Sequence, residues 1–215
     1  MNIIKIEGVS DSYPELVDGT TEWYFCKDSN NCFCDLYEAE EIVKSGEVFS
    51  GMVCHLIHFP EGTVYSPFER KENVYIEQPI WDKGTLYFLG VDFYKQKIQI
   101  YSYFPDSQRL KMIKELPLGI VEDCYNLMLK VSPLMLCRAG NNGIYEIVWP
   151  ENKKIEIGET EGLLFRDGDD LYFSEWYEDP EYHENVIIRD FDTGKVKEKI
   201  SGYLCKLPNG VYWKV

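Results

Sequence analysis

The stretch Gly162-Leu-Leu-Phe-Arg-Asp-Gly-Asp-Asp-Leu-Tyr-Phe173 decides the fold, because its pattern returns as Gly202-Tyr-Leu-Cys-Lys-Leu-Pro-Asn-Gly-Val-Tyr-Trp213. Each copy reads as a short strand, a turn on Gly168 or Gly210, and a second strand opening with an aliphatic and an aromatic residue. Two-residue hairpin turns need a positive φ, which glycine adopts without steric cost, so each copy predicts a β-hairpin. Looser copies are Leu16-Val17-Asp18-Gly19 before Trp23-Tyr24-Phe25, Pro60-Glu61-Gly62 before Val64-Tyr65, and Asp82-Lys83-Gly84 before Leu86-Tyr87-Phe88. A degenerate copy runs from Gly119-Ile120-Val121-Glu122-Asp123 into Leu127-Met128-Leu129.

Third and fourth strands follow most of these hairpins. Val186-Ile-Ile-Arg-Asp-Phe191 leads through Asp192-Thr193-Gly194 into Lys195-Val-Lys-Glu-Lys-Ile200. Gly143-Ile-Tyr-Glu-Ile-Val148 with Lys154-Ile-Glu-Ile157, and Ile98-Gln-Ile-Tyr-Ser-Tyr103 with Leu110-Lys-Met-Ile113, have the same shape. Near the N-terminus, Cys32-Phe-Cys-Asp-Leu-Tyr37 and Glu41-Ile42-Val43 fit that slot. The second-strand aromatics Tyr24, Tyr65, Tyr87, Tyr172 and Tyr212 lie 41, 22, 85 and 40 residues apart, with Met128 in the middle of the longest interval. The short interval leaves the second unit about three strands, in residues 52–58, 63–67 and 73–78.

Four antiparallel strands repeated about every 40 residues are the signature of a propeller blade. From residue 14 to residue 215 the chain resembles β-propeller proteins, in particular those with an Asp-Gly turn between the first two strands of a blade and a Thr-Gly or Pro-Asp turn between the last two. It has neither a WD dipeptide nor a kelch signature. The resemblance implies one all-β, β-propeller-like domain over residues 1–215, with five or six small blades of three to four antiparallel strands. Because an open strand edge invites aggregation, the ring is expected to be closed by N- and C-terminal strands, residues 2–7 pairing with the last unit. A sandwich or twisted meander of the same hairpins is the alternative.

Composition agrees with an all-β chain. Aromatics make up 15% of the 215 residues, sixteen of them Tyr, while alanine, the best helix former, occurs only at Ala39 and Ala139. The net charge of −15 argues against a nucleic-acid partner, whose phosphates need Lys and Arg. No apolar run is long enough for a membrane span, and seven scattered cysteines do not resemble a secreted disulfide framework. A cytoplasmic protein is the expectation. The charge is local: residues 1–50 carry −8, 51–158 carry −1, 159–192 carry −10 and 193–215 carry +4. Ring closure would bring the two acidic segments into one sector, suited to a basic partner or a cation.

Two constellations carry candidate chemistry. Cys26, Cys32, Cys34, Cys54, His55 and His58 include zinc-ligand types, but without a paired knuckle, and with His55 and His58 on opposite strand faces they read as β-core residues. The acidic aromatic stretch Trp176, Tyr177, Glu178, Asp179, Glu181, Tyr182, His183 and Glu184 lies between the second and third strands of a blade, at the face where propellers usually bind ligands. It is the expected ligand- or partner-binding site, for an unknown protein or small ligand, possibly basic. Asp167-Gly168-Asp169-Asp170 reads as a hairpin turn. No nucleophile elbow, phosphate loop or HExxH pair occurs, so no catalytic residue and no cofactor is expected. The function expected is non-catalytic binding; a carbohydrate-binding or carbohydrate-active propeller is the alternative.

Overall fold

The computed structural model describes residues 3–9, 13–29, 34–140, 142–207 and 210–215. It is all-β, in five antiparallel sheets. The chain divides into two compact units, Met1–Cys124 and Tyr125–Val215.

In the first unit, β1 (Glu15–Leu16), β2 (Trp23–Asp28), β3 (Val53–His58) and β4 (Thr63–Tyr65) form a meander, with helix α1 (Leu36–Lys44) between β2 and β3. The second sheet holds β5 (Val74–Ile76), β6 (Ile80–Asp82), β7 (Thr85–Asp92), β8 (Lys97–Phe104) and β9 (Arg109–Pro117). Both β5 and β6 pair with β7, at Ile76↔Gly90 and Ile80↔Tyr87. They are one strand interrupted at Pro79, which has no N–H to give a ladder. This sheet is therefore also a four-stranded meander.

In the second unit, β10 (Leu127–Lys130), β11 (Met135–Ala139), β12 (Ile144–Trp149) and β13 (Lys153–Glu156) form the third sheet. The fourth has β14 (Glu161–Asp167), β15 (Asp170–Tyr177), β16 (His183–Asp190) and β17 (Val196–Ser201), and a hairpin of β18 (Leu204–Lys206) and β19 (Tyr212–Lys214) follows.

Consecutive sheets in each unit pack face to face. Val17, Trp23, Phe25, Cys54 and Leu56 of the first sheet and its β1–β2 turn meet Ile76, Leu86, Phe88 and Tyr103 of the second. Met135, Cys137, Tyr145, Ile147 and Ile155 of the third meet Leu163, Leu171, Phe173 and Ile187 of the fourth. Each such side chain contributes roughly 1.5–3 kcal/mol when removed from water, so these layers are the main cohesive term.

Three expectations need correction. The segment expected to supply strands at Cys34-Asp35-Leu36-Tyr37 and Glu41-Ile42-Val43 enters α1 instead; Cys32 and Phe33 lie outside the described residues. The cause is a capping box: the Asp35 carboxylate accepts from the Glu38 N–H at 2.8 Å, and the Asp35 N–H donates to Glu38 Oε2 at 2.9 Å. Second, Tyr65 lies in the fourth strand of the first sheet, not the second strand of another unit, and Met128 lies in a first strand. The Gly62 turn joins β3 to β4, and Leu118–Ile120 is a 3₁₀ turn, not a strand. Glycine turns close both the first and the last hairpin of a meander, so the motif alone does not number the strands. Third, residues 3–7 belong to no strand, and Asn2 lies outside the described residues. Ile4 and Ile6 lie beside Gly62 in the β3–β4 turn, Ile6 partly covered and Ile4 exposed, with no ladder formed.

Three of the outermost strands carry clustered cations. β9 bears Arg109, Lys111 and Lys114, β13 bears Lys153 and Lys154, and β17 bears Lys197 and Lys199. Bulges shift the register of β9 between the partners of Ile100 and Tyr101, and of β17 between those of Ile188 and Arg189. Both devices blunt a strand edge against pairing with another chain. Lys111→Val with Lys114→Val is therefore expected to produce larger species in size-exclusion chromatography with light scattering. An elution profile identical to the parent would remove this role for the lysines.

Candidate functional site

The acidic aromatic stretch is the distal end of the β15–β16 hairpin, with residues 178–182 as its loop. The β14–β15 ladder ends at Glu161↔Glu175, whereas β15 and β16 continue together through Trp176↔Glu184 and Tyr177↔His183. On the other side the β16–β17 ladder ends at Asn185↔Ser201, extended by the Gly202 N–H donating to Glu184 O at 2.9 Å. The hairpin end thus projects as a finger past β14. Alternation along the strands divides its side chains between two faces.

One face carries Glu175, Tyr177, His183 and Asn185, beside Lys199 of β17. The Tyr177 and His183 rings stack with centroids 5.0 Å apart and planes at 15°. Tyr177 Oη donates to Glu175 Oε1 at 2.7 Å, and Asn185 Nδ2 donates to Glu175 Oε2 at 3.1 Å. Lys199 Nζ lies 2.6 Å from Glu175 Oε2 and 5.3 Å from the centre of the Tyr177 ring. Burial opposes ionisation of Glu175, but the Lys199, Tyr177 and Asn185 contacts outweigh it and hold the carboxyl below its ordinary range. Glu175 in turn pushes the Lys199 ammonium and the Tyr177 phenol up.

The opposite face carries Trp176 and its rung partner Glu184, with Trp176 43% exposed. Tyr182, 65% exposed, donates its hydroxyl to Glu184 Oε1 at 2.6 Å, which raises its own pKa. In the loop, His183 Nδ1 donates to Glu181 O at 2.9 Å. Glu178, Asp179 and Glu181 are exposed, and among the described residues no cation pairs with them. The structure therefore joins Trp176, Tyr182 and Glu184 on one face and Tyr177 with His183 on the other. It does not gather the carboxylates: among the described residues, no three His, Cys, Asp or Glu side chains converge closely enough to hold a metal ion.

Of the cysteine–histidine constellation, Cys26, Cys54, His55 and His58 lie in the first sheet, and Cys34 lies just before α1. Cys26 and Cys54 are buried, which raises both thiol pKa values, and Cys32 lies outside the described residues. His55 lies opposite Cys26, with Nδ1 2.8 Å from Ser66 Oγ and Nε2 3.5 Å from Asp28 Oδ2. Arg70 also binds Asp28, so this row is part of a cross-strand polar network. His58 bonds Glu61 at 2.9 Å and packs against Trp23.

Two residues beyond the expected site residues complete the site: Glu175, which heads the acidic stretch, and Lys199. Their signal in the sequence is a Glu two positions before Tyr177 and a Lys on the strand that pairs next to it. In the same unit, Arg138, Glu146 and Lys154 form a comparable row across β11, β12 and β13, with Arg138 Nη1 2.9 Å from Glu146 Oε1.

No family model matches the chain, and no curated protein matches it. Among solved structures, it is similar to a chain of the nidogen/laminin complex at 16% identity and a TM-score of 0.41, over 83% of this chain and 59% of that one. This chain thus spans about three fifths of that chain's length. A likeness at that score is too distant to carry fold or function across. Among the described residues, no helix is long and apolar enough to cross a membrane.

The depressed Glu175 carboxyl fixes a sign for pH dependence. Its stabilisation is present above the unfolded carboxyl pKa, about 4.3, and is lost as pH falls through the lower folded value. The gap in melting temperature between parent and Glu175→Gln is expected to be widest near neutral pH and to close below about pH 4. A gap that widens on acidification would contradict the assignment.

Proposed function

We propose that the chain is a binding module whose β15–β16 finger captures a basic partner, and that its five sheets are the blades of one propeller-like domain spanning residues 1–215. The observation that carries the binding reading is the projecting finger, with exposed Trp176 and Tyr182 rings beside Glu178, Asp179, Glu181 and Glu184, four carboxylates without a described cation. Exposed aromatics attract cations through their ring faces, and uncompensated carboxylates favour a partner of opposite charge. The propeller reading is supported by four successive four-stranded meanders, packed face to face within each unit. A reducing, cytoplasmic setting is supported by six described cysteines with free thiols, four of them buried.

The test uses a fluorescein-labelled peptide of alternating lysine and glycine, followed by anisotropy at physiological ionic strength. Glu178→Lys with Glu181→Lys is expected to weaken binding about tenfold or more, because two attractive charges become repulsive. Glu69→Lys with Glu72→Lys makes the same change in net charge in the first unit, outside the finger itself, and is expected to have a much smaller effect. Equal losses in the two double variants would mean that the peptide responds to overall charge, and the finger would lose its role.

A further inference from the structure

The two faces of the finger carry the same motif in different states. On one, a tyrosine hydroxyl donates to a glutamate two residues away, Tyr177 to Glu175 at 2.7 Å, and Lys199 completes the group with its ammonium on the second carboxylate oxygen and over the ring. On the other, Tyr182 donates to Glu184, again two residues away, at 2.6 Å. Trp176, the cross-strand partner of Glu184, adds a second exposed ring. Among the described residues, no Lys or Arg lies within ion-pair distance of Glu184.

We infer that the Trp176–Glu184–Tyr182 face receives the ammonium group of a lysine side chain from a basic peptide, in the arrangement that Lys199 adopts against Glu175 and Tyr177. The inference rests on the binding reading above and narrows it to one face and one chemical group. Three physical features support it. Tyr182 occupies only Oε1 of Glu184, so Oε2 can accept from an incoming N–H. The indole is the strongest of the aromatic cation binders, and its 43% exposure lets a cation reach the ring. The loop carboxylates Glu178, Asp179 and Glu181 add attraction for further cations along the same peptide. The Tyr177–His183 face is a poorer receptor, since one ring covers the other and Lys199 already neutralises Glu175.

The experiment measures binding of the labelled lysine–glycine peptide and of its fully ε-acetylated counterpart, which keeps length and stems but removes the charges. The lysine peptide is expected to bind the parent protein, and acetylation to weaken binding about tenfold or more. Glu184→Gln and Trp176→Ala are each expected to weaken it about fivefold, with Trp176→Phe recovering part of the loss because a ring is kept. Melting temperatures of the variants identify any loss caused by unfolding, and Glu184→Gln tests the surface carboxylate without removing packing. If Glu178→Lys with Glu181→Lys weakens binding while Glu184→Gln and Trp176→Ala do not, the inference is overturned and the broader reading stands. If none of these variants weakens binding, or the parent does not bind the peptide, both are overturned.

Discussion

An inner strand of a short meander has two faces, and both must be removed from water. β7 meets this demand most fully: seven of its eight residues are buried, and its polar Thr85 and Asp92 are among them. The third strands β3, β12 and β16 contain similarly buried stretches, whereas β9 and β17 are largely exposed. A lone sheet cannot cover its own faces, so each meander depends on the layer packed against it. That dependence explains why the cohesive residues lie in two clusters, one shared by the first and second sheets and one by the third and fourth.

The distribution of charge follows from the same constraint. Outermost strands are solvated and carry unpaired backbone groups, so lysines and bulges there keep other strands away. Carboxylates cluster instead at the end of β15–β16, beyond the ladder with β14, where the sheet no longer demands apolar side chains. The core cluster contains Phe173 and Ile187; two residues further toward the tip, Glu175 and Asn185 are polar and bonded to each other. From Trp176 to Glu184 the hairpin is released from packing, and its aromatics become available for recognition.

The hairpins on Gly84, Gly168 and Gly210 were legible in the sequence because a positive φ leaves a compositional mark. The β8–β9, β12–β13 and β16–β17 pairs were legible from turn residues between apolar runs, and the acidic aromatic stretch from its composition. Asp35 and Glu38 spell the capping box of α1, but Tyr37, Ile42 and Val43 around it are residues that fit a strand equally well, which hides the helix in the sequence. The numbering of strands around Tyr65 failed because a glycine turn looks the same wherever it lies in a meander. At the site, Trp176 and Tyr182 stand out in the sequence, but the contrast between the two faces does not. That contrast depends on Lys199, which the chain brings to Glu175 through the β16–β17 register and not through nearness in sequence.

Burial of both faces of the inner strands holds the sheets together and leaves the finger out of the core. Site-resolved amide hydrogen exchange measures this directly. The slowest amides are expected in β7, β8, β11, β12 and the core-facing half of β15–β16. Protection should fall sharply beyond Glu175 and Asn185. Uniform protection along the whole hairpin to Tyr177 and His183, or slowest exchange in β9 and β17, would contradict the account.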